Sequence, residues 1–201
     1  MRDMRARMDQ LVNALLYNEG RGDASAWPCP GCQESGQRTS PPTMRCDGCY
    51  GGSLYCETCC LREHRRRPFC RLERWNGLTF ERVSLKDMGH RIQLGHPDHE
   101  VCPCPRRGVS EFTIIHVNGL HTCSVNFCAC ANALKAGDDI DQLLRRGLFP
   151  ATARDPQTCC TFEVLKHYTA LSLQGKTTQY DYYMALVKQT DMTGTARVKV
   201  W

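Results

Sequence analysis

Hydrophobic residues near the N-terminus recur with the period of an α-helix. The pattern predicts a helix over residues 3–18 that ends at Gly20. An apolar stripe of this kind usually packs on its own domain, and a dimerisation or partner helix is the alternative. We expect the packed helix. The stripe consists of Met4, Met8, Leu11, Val12, Leu15 and Leu16.

The clearest β pattern lies in the middle of the chain. Residues 111–117 are rich in strand-forming side chains, and Asn118-Gly119 is a typical two-residue hairpin turn. Residues 120–127 are predicted to form the returning strand of this hairpin. Alternation over residues 78–83 predicts another strand, and residues 91–94 are expected to be extended.

The last part of the chain favours helices. One is predicted over residues 139–146, ending at Gly147, and two apolar helices are predicted over 162–173 and 180–187. The final residues carry neither a helix cap nor a polar end, so we expect a fragment of a longer protein.

Fifteen cysteines in 201 residues require a choice between disulfides and metal. The N-terminus lacks the uninterrupted apolar core of a secretory signal, and no run of about 18 apolar residues predicts a membrane span. Thiols of an intracellular chain stay reduced, which favours metal binding over disulfides.

Three C-x-x-C pairs followed by a histidine and a cysteine supply eight ligands, enough for two tetrahedral zinc sites. Pro30-Gly31 and Asp47-Gly48 are the turn residues that the first two pairs need. Cys60 is a spare thiol and a possible rival to Cys59. The eight candidates are Cys29, Cys32, Cys46, Cys49, Cys56, Cys59, His64 and Cys70.

The order of these pairs resembles that of B-box and ZZ-type zinc fingers, in which a late histidine follows the cysteine pairs. RING and PHD domains place their histidine earlier. The resemblance implies a cross-brace: one site of Cys29, Cys32, Cys56 and Cys59, and another of Cys46, Cys49, His64 and Cys70. Those families usually end in histidine, so Cys70 is a departure.

A second ligand set is more irregular. His96, His99, Cys102 and Cys104 precede the hairpin, and His121, Cys123, Cys128 and Cys130 lie in it or after it. Both thiolates of the C-x-C pair can reach one ion, so we expect a third zinc site. Buried thiols and a packed histidine are the alternative. Five candidates compete for four places: His96, Cys102, His121, Cys128 and Cys130.

The net charge is +5, and arginines crowd the end of the first cysteine stretch. Contact with phosphate or with an acidic peptide is one interpretation, and a solvated face is the other. The residues are Arg62, Arg65, Arg66, Arg67, Arg71 and Arg74.

The runs ERWNGLTFERVSL, RIQLGH, FTIIHVNGLHTCSVNFCAC, LLRRGLFPATARDPQTCCTFEVLKHY and LQGKTTQYDYYMAL resemble the cysteine-cluster region that precedes fungal KDZ (Kyakuja-Dileera-Zisupton) transposases. The resemblance extends over about residues 18–194. It implies an accessory region of a nuclear mobile-element protein, normally followed by a catalytic transposase domain that is absent here.

We therefore expect an α+β fold with a helix and linker over residues 1–24, a two-zinc module over 25–75, a β-rich segment over 76–137 and a helical region over 138–201. The expected function is non-catalytic zinc binding with contact to DNA at transposon ends or to a partner protein. A protein-interaction module without a nucleic acid role is the alternative, and an enzyme with an open zinc at the third site is a further one. The acidic cluster at 138–141 is explained by helix capping.

Overall fold

The computed structural model describes residues 4–5, 7–22, 26–97 and 100–192, and these contain ten short strands and seven helices. The predicted α+β class is confirmed. The chain divides into two units, Met1–Met88 and Gly89–Trp201. Among the described residues, no helix combines the length and the apolar character that crossing a membrane requires.

The first unit surrounds a three-stranded antiparallel sheet in the order β1-β2-β3. The strand expected over residues 78–83 begins two residues later, after a turn. The elements in chain order are α1 (Met8–Glu19), α2 (Pro30–Glu34), β1 (Met44–Cys46), α3 (Glu57–His64), β2 (Leu72–Trp75) and β3 (Phe80–Val83).

A small apolar core holds the sheet of the first unit against α3. Met44 and Leu72 face it from the strands, Cys60 from the helix and Leu85 from the turn that follows β3, all of them buried. So few apolar side chains make a small core, and burying them stabilises the unit only modestly. The remaining interior of this unit consists largely of cysteine side chains.

Helix α1 does not pack as the sequence pattern predicted. None of its residues from Met8 to Glu19 is buried, and Leu15 and Leu16 are 66% and 62% exposed. The packed interpretation is therefore wrong for the described part of this helix. Its C-terminal end is held by a hydrogen bond that Arg45 donates to the carbonyl of Asn18, at 2.6 Å. Residues 3 and 6 of the predicted helix lie outside the described residues.

The second unit contains two separate sheets. A four-stranded sheet has the order β7-β6-β10-β9, and a three-stranded sheet has the order β4-β8-β5. The strands are β4 (Ile92–Gln93), β5 (Pro105–Arg107), β6 (Phe112–His116), β7 (Gly119–Cys123), β8 (Val125–Cys128), β9 (Leu148–Pro150) and β10 (Thr158–Thr161). The helices are α4 (Ala133–Ala136), α5 (Asp139–Arg145), α6 (Phe162–Gly175) and α7 (Gln179–Thr190).

The predicted hairpin is present as β6 and β7, with Ile114 opposite His121. Its returning strand is shorter than expected, because the chain leaves the sheet at Ser124. Residues 125–128 instead pair in parallel with β4 and antiparallel with β5. The continuous strand predicted over 120–127 is therefore two strands in two different sheets.

Strand β10 was missed by the sequence pattern. It lies between β6, to which it is parallel, and β9, to which it is antiparallel. Its Cys159 is fully buried, in agreement with the expectation that this cysteine serves as a small apolar residue. Beside the sheet, Leu120 packs with Val164 of α6 and Leu186 of α7. Residues 193–201 lie outside the described part of the chain.

Candidate metal centres

The first group of candidate ligands joins two helix N-termini in the first unit. Cys29 immediately precedes α2 and Cys56 immediately precedes α3, while Cys32 and Cys59 lie three residues further along, in the first turns. A C-x-x-C pair at a helix start points both thiols to one side. All four side chains are buried, and their sulfur atoms lie within 4.8 Å of one another.

The spacing of these sulfurs fits a metal ion rather than a disulfide. Cys32 Sγ is 3.6 Å from Cys56 Sγ and 3.6 Å from Cys59 Sγ. A disulfide would bring two sulfurs to about 2.05 Å. Four thiolates placed about 2.3 Å from a central zinc ion are separated by about 3.8 Å at the corners of a regular tetrahedron. The observed arrangement is therefore close to the geometry of a four-thiolate site.

The second group interleaves with the first along the chain. Cys46 ends β1, Cys49 lies in the following turn, His64 ends α3 and Cys70 precedes β2. Cys49 Sγ lies 3.5 Å from His64 Nε2. The Nδ1 atom of the same ring lies 2.8 Å from the carbonyl oxygen of Cys60. A carbonyl only accepts, so Nδ1 carries the proton and Nε2 is the atom that faces the thiols.

The third group forms in the second unit, around the end of β8. His96 Nε2 is 3.3 Å from Cys128 Sγ and 3.4 Å from Cys130 Sγ, and these two sulfurs are 3.5 Å apart. Cys102 completes a set whose donor atoms all lie within 4.8 Å of one another. On the far side of the ring, Glu100 lies 3.4 Å from His96 Nδ1. A carboxylate at this position orients a metal-binding imidazole.

Backbone N–H groups point at several of the sulfurs. The Cys56 N–H donates to Cys29 Sγ at 3.2 Å. Burial, the largest single contribution, raises the pKa of Cys29, but the N–H donors of Cys56 and Cys32 and neighbouring thiols outweigh it and lower the pKa to about 7. Burial likewise opposes ionisation of Cys102, whereas the backbone of Ala129 and Cys104 helps to lower its pKa to about 6.

Burial and the close packing of thiols raise the pKa of other cysteines in these groups. Burial, followed by the neighbouring thiols Cys56, Cys32 and Cys29, raises the pKa of Cys59. Four buried thiols in mutual contact cannot all ionise unless a cation neutralises them. Sulfur and imidazole donors suit soft or borderline transition metals, whereas calcium and magnesium prefer oxygen. The three groups could therefore hold transition-metal ions.

The structure brings together twelve of the thirteen predicted ligands and leaves one apart. His121 lies on β7, in the four-stranded sheet, whereas Cys128 ends β8 in the other sheet. The His121 Nε2–H donates to Asn118 Oδ1 at 2.7 Å, and its ring packs edge-on against His116. The chain leaves the four-stranded sheet at Ser124, which separates the two strands, so His121 does not join the third group. Ligation by the other twelve stays a prediction.

Among the described residues, the remaining thiols contribute no donor atom to the three groups. Cys60 lies beside the second group, where its carbonyl accepts from His64 and its sulfur is 3.6 Å from Nδ1 of that ring. Cys59 belongs to the first group, whereas its predicted rival Cys60 does not, and ligation by Cys59 stays a prediction. His99 lies outside the described residues.

One residue that supports the third group was not found from the sequence. The buried Gln142 of α5 accepts the Cys128 N–H at 2.8 Å and donates to the Cys128 carbonyl at 3.3 Å. This pair of bonds fixes the backbone at the first cysteine of the C-x-C pair. A lone glutamine in a short helix has no local signal for such a role, because its partner is 14 residues earlier.

The predicted arginine cluster divides into several environments. Arg62 donates to Cys59 Sγ at 3.7 Å, and Arg67 to Cys49 Sγ at 3.4 Å. Arg74 pairs with Glu57 at 2.9 Å, and Arg71 is half-buried. Arg65 and Arg66 are exposed at the end of α3. Two of the six arginines therefore face candidate metal ligands, where their charge offsets that of thiolates.

Fold and site together define a two-unit α+β protein with three clusters of cysteine and histidine that could hold metal ions. A family model described as a CxC2-like cysteine cluster associated with KDZ transposases matches residues 85–194. That span is more than half of the chain, and the chain belongs to this family.

The family match covers less of the chain than the expected 18–194. It contains the third group and leaves the first two outside. The KDZ association is thus confirmed for the second unit, while the first unit has only its own residues to support an interpretation. No curated protein and no solved structure matches the chain.

Proposed function

We propose that this chain is a non-catalytic, zinc-held accessory module of a KDZ-transposon-derived protein, and that it contacts DNA. The observation that carries the proposal is the presence of three four-donor groups of cysteine and histidine, one of them inside the family-matched span. Zinc is the metal that tetrahedral thiolate and imidazole sites of this composition usually bind.

The number of donors supports a structural role for each ion. Every group offers four protein ligands, whereas catalytic zinc keeps one position for water or substrate. The aspartates at 138–141, which could suggest a nuclease site, make contacts that explain them structurally. Asp138 and Asp141 form a capping box at the start of α5, and Asp139 pairs with Arg106. These contacts favour an accessory module over an enzyme.

Exposed cations supply the argument for DNA. Arg65 and Arg66 extend from the end of α3 beside the second group, and the chain carries a net charge of +5. Arginine at the rigid end of a metal-anchored helix is well placed to bind phosphate. Transposon ends are the DNA that such a module would contact, and the nucleus is where it would act.

The test is DNA binding by the zinc-loaded full chain, measured by fluorescence anisotropy over a salt series. The double variant Arg65→Gln/Arg66→Gln is expected to weaken duplex binding and to reduce the slope of log K against log salt by about 2. The double variant Lys166→Gln/Lys188→Gln removes the same charge from exposed faces of α6 and α7 and is the matched control. Equal effects of the two variants would contradict a specific phosphate contact near the second group.

A partner protein is a second candidate because of helix α1. Its apolar stripe is exposed, with Met8 at 51% and Leu15 at 66%. Burying such a stripe against another chain would be favourable. Binding of a partner protein that persists at high salt and is lost in the Leu15→Asp variant would favour this B-box-like or ZZ-like role over DNA contact.

A further inference from the structure

A small pocket beside the third candidate metal group collects positive charge. It has a volume of about 290 Å³ and lies between the segment after β4 and helices α4 and α5. Three cationic side chains line it: Lys135 at the end of α4, and Arg145 and Arg146 at the end of α5. Among the described residues, no aspartate or glutamate lines this pocket.

The two arginines are held in place by backbone carbonyls. Arg145 donates to the carbonyl of Lys135, and Arg146 donates to the carbonyl of His96. The carbonyl acceptor fixes the Arg145 guanidinium without cancelling its charge, and a guanidinium has five N–H donors. Asn132 adds an amide that is held by a bond to the Gly95 carbonyl at 3.3 Å. The pocket is thus built from cations on positioned side chains.

The cations of this pocket differ from Arg106 of the same unit in their carboxylate partners. Arg106 has a carboxylate partner in Asp139. In the described part of the unit, neither Lys135 nor Arg145 has one. The neighbouring charges of Lys135 and Arg145 repel one another, and an anion in the pocket would relieve this repulsion.

Two structural explanations account for only part of this charge. One cation in the last turn of α5 stabilises the helix dipole. A zinc ion with three thiolates and a neutral imidazole carries a net charge of about −1, which a second cation would offset. Lys135 lies in the last turn of α4, but that helix has only four residues and therefore a small dipole, and the Lys135 side chain is exposed.

We propose that the pocket formed by Lys135, Arg145 and Arg146 binds a phosphate group. Arginine and lysine donors arranged around a small cavity match the charge and the acceptor oxygens of phosphate. If the proposed function holds, the phosphate group belongs to the DNA backbone. The inference rests on the proposed function for the source of the phosphate. It would add a phosphate contact within the family-matched span, in addition to Arg65 and Arg66.

The test uses the zinc-loaded, ¹⁵N-labelled full chain titrated with inorganic phosphate, with sodium chloride at equal ionic strength as the reference. Phosphate is expected to shift the amide signals of residues 132–146 and the Arg145 side-chain N–H signal. The double variant Lys135→Gln/Arg145→Gln is expected to lose these shifts, and Lys166→Gln/Lys188→Gln is expected to keep them. If the double variant loses zinc or its folded spectrum, Lys135→Gln alone replaces it, because that side chain is exposed.

A second measurement identifies the source of the phosphate. In the duplex anisotropy assay, the pocket variant is expected to bind about tenfold more weakly, with the salt slope reduced by about 2. Phosphate shifts without any DNA binding would keep the pocket, assign it to a free phosphate compound, and reject the proposed DNA role. If phosphate causes no signal shifts that are confined to the pocket residues, the proposed phosphate pocket is overturned. This conclusion does not depend on how the Arg65 and Arg66 variants behave in the DNA-binding assay.

Discussion

The ring of His64 donates a 2.8 Å hydrogen bond from Nδ1 to the carbonyl of Cys60, one helical turn earlier. This bond sets the tautomer and turns Nε2 towards Cys49, 3.5 Å away. Cys60 therefore acts on the second group through its backbone, and its thiol contributes no donor atom to that group. The same helix carries Cys59 of the first group, so α3 connects the two candidate centres.

Substitution of His96 distinguishes a ligand from a packed histidine. We expect His96→Ala to lower the metal content from about three to about two zinc ions per chain, because its Nε2 is one of four donors. The matched control is His121→Ala, in the same unit, which removes a buried histidine outside the group and should retain three. Elemental analysis of the purified chains measures both, and equal metal contents would contradict the assignment.

Metal removal is expected to unfold the candidate centres. Structural zinc in small domains contributes an apparent 10–16 kcal/mol, and the apolar core of the first unit is small. Excess EDTA should abolish the near-ultraviolet circular dichroism of the chain, and added zinc should restore it. Calcium serves as the control for re-addition, since thiolates bind it poorly. A native spectrum in EDTA would contradict the proposed role of the metal.

Thiol reactivity should separate Cys159 from Cys104. Burial, followed by the neighbouring Cys160, raises the pKa of Cys159 to about 12. Because the pKa is raised, the reactive thiolate is scarce at pH 8. Iodoacetamide at pH 8 should modify the exposed Cys104 within minutes and leave Cys159 unmodified in the folded chain.

Mass spectrometry of the peptides gives the extent of modification at each site. The control is the same reaction in denaturant with EDTA, where both cysteines should react. Rapid labelling of Cys159 in the folded chain would show that β10 is accessible, contrary to its place between β6 and β9.

Stability measurements test the exposed position of α1. Leu15→Ala should change the free energy of unfolding of the zinc-loaded chain by less than about 0.5 kcal/mol, because the side chain is 66% exposed. Leu72→Ala in the same unit removes a side chain that is 1% exposed and should cost about 2–5 kcal/mol. Urea unfolding monitored by circular dichroism compares them. A large loss for Leu15→Ala would restore the packed interpretation of the helix.

Local chemistry explains why much of this protein could be predicted from its sequence. A C-x-x-C pair brings two thiols together over three residues, and Asn118-Gly119 encodes a tight turn, so neither depends on distant residues. The helix start at Asp138 is also a local feature, and the predicted capping is present as a capping box of Asp138 and Asp141. Such features made the α+β class, the hairpin and most candidate ligands available without coordinates.

Long-range placement could not be derived in the same way. The sequence placed both His96 and His121 among the five candidates for the third group, and the departure of the chain from the sheet at Ser124 puts them in different surroundings. Strand β10 pairs with a strand more than 40 residues earlier and carries no alternating pattern of its own. An amphipathic stripe reports only that a helix has an apolar face, so the exposure of α1 was not predictable either.

The sequence by itself determined which atoms can serve as ligands, because sulfur and imidazole donors and their spacing are local properties of the chain. Only the tertiary structure decided which four of the five candidates meet in the third group, which arginines face thiols and which cations surround a pocket. Those relationships join residues that are distant along the chain, as Arg146 and His96 are, and they depend on how the strands and helices pack.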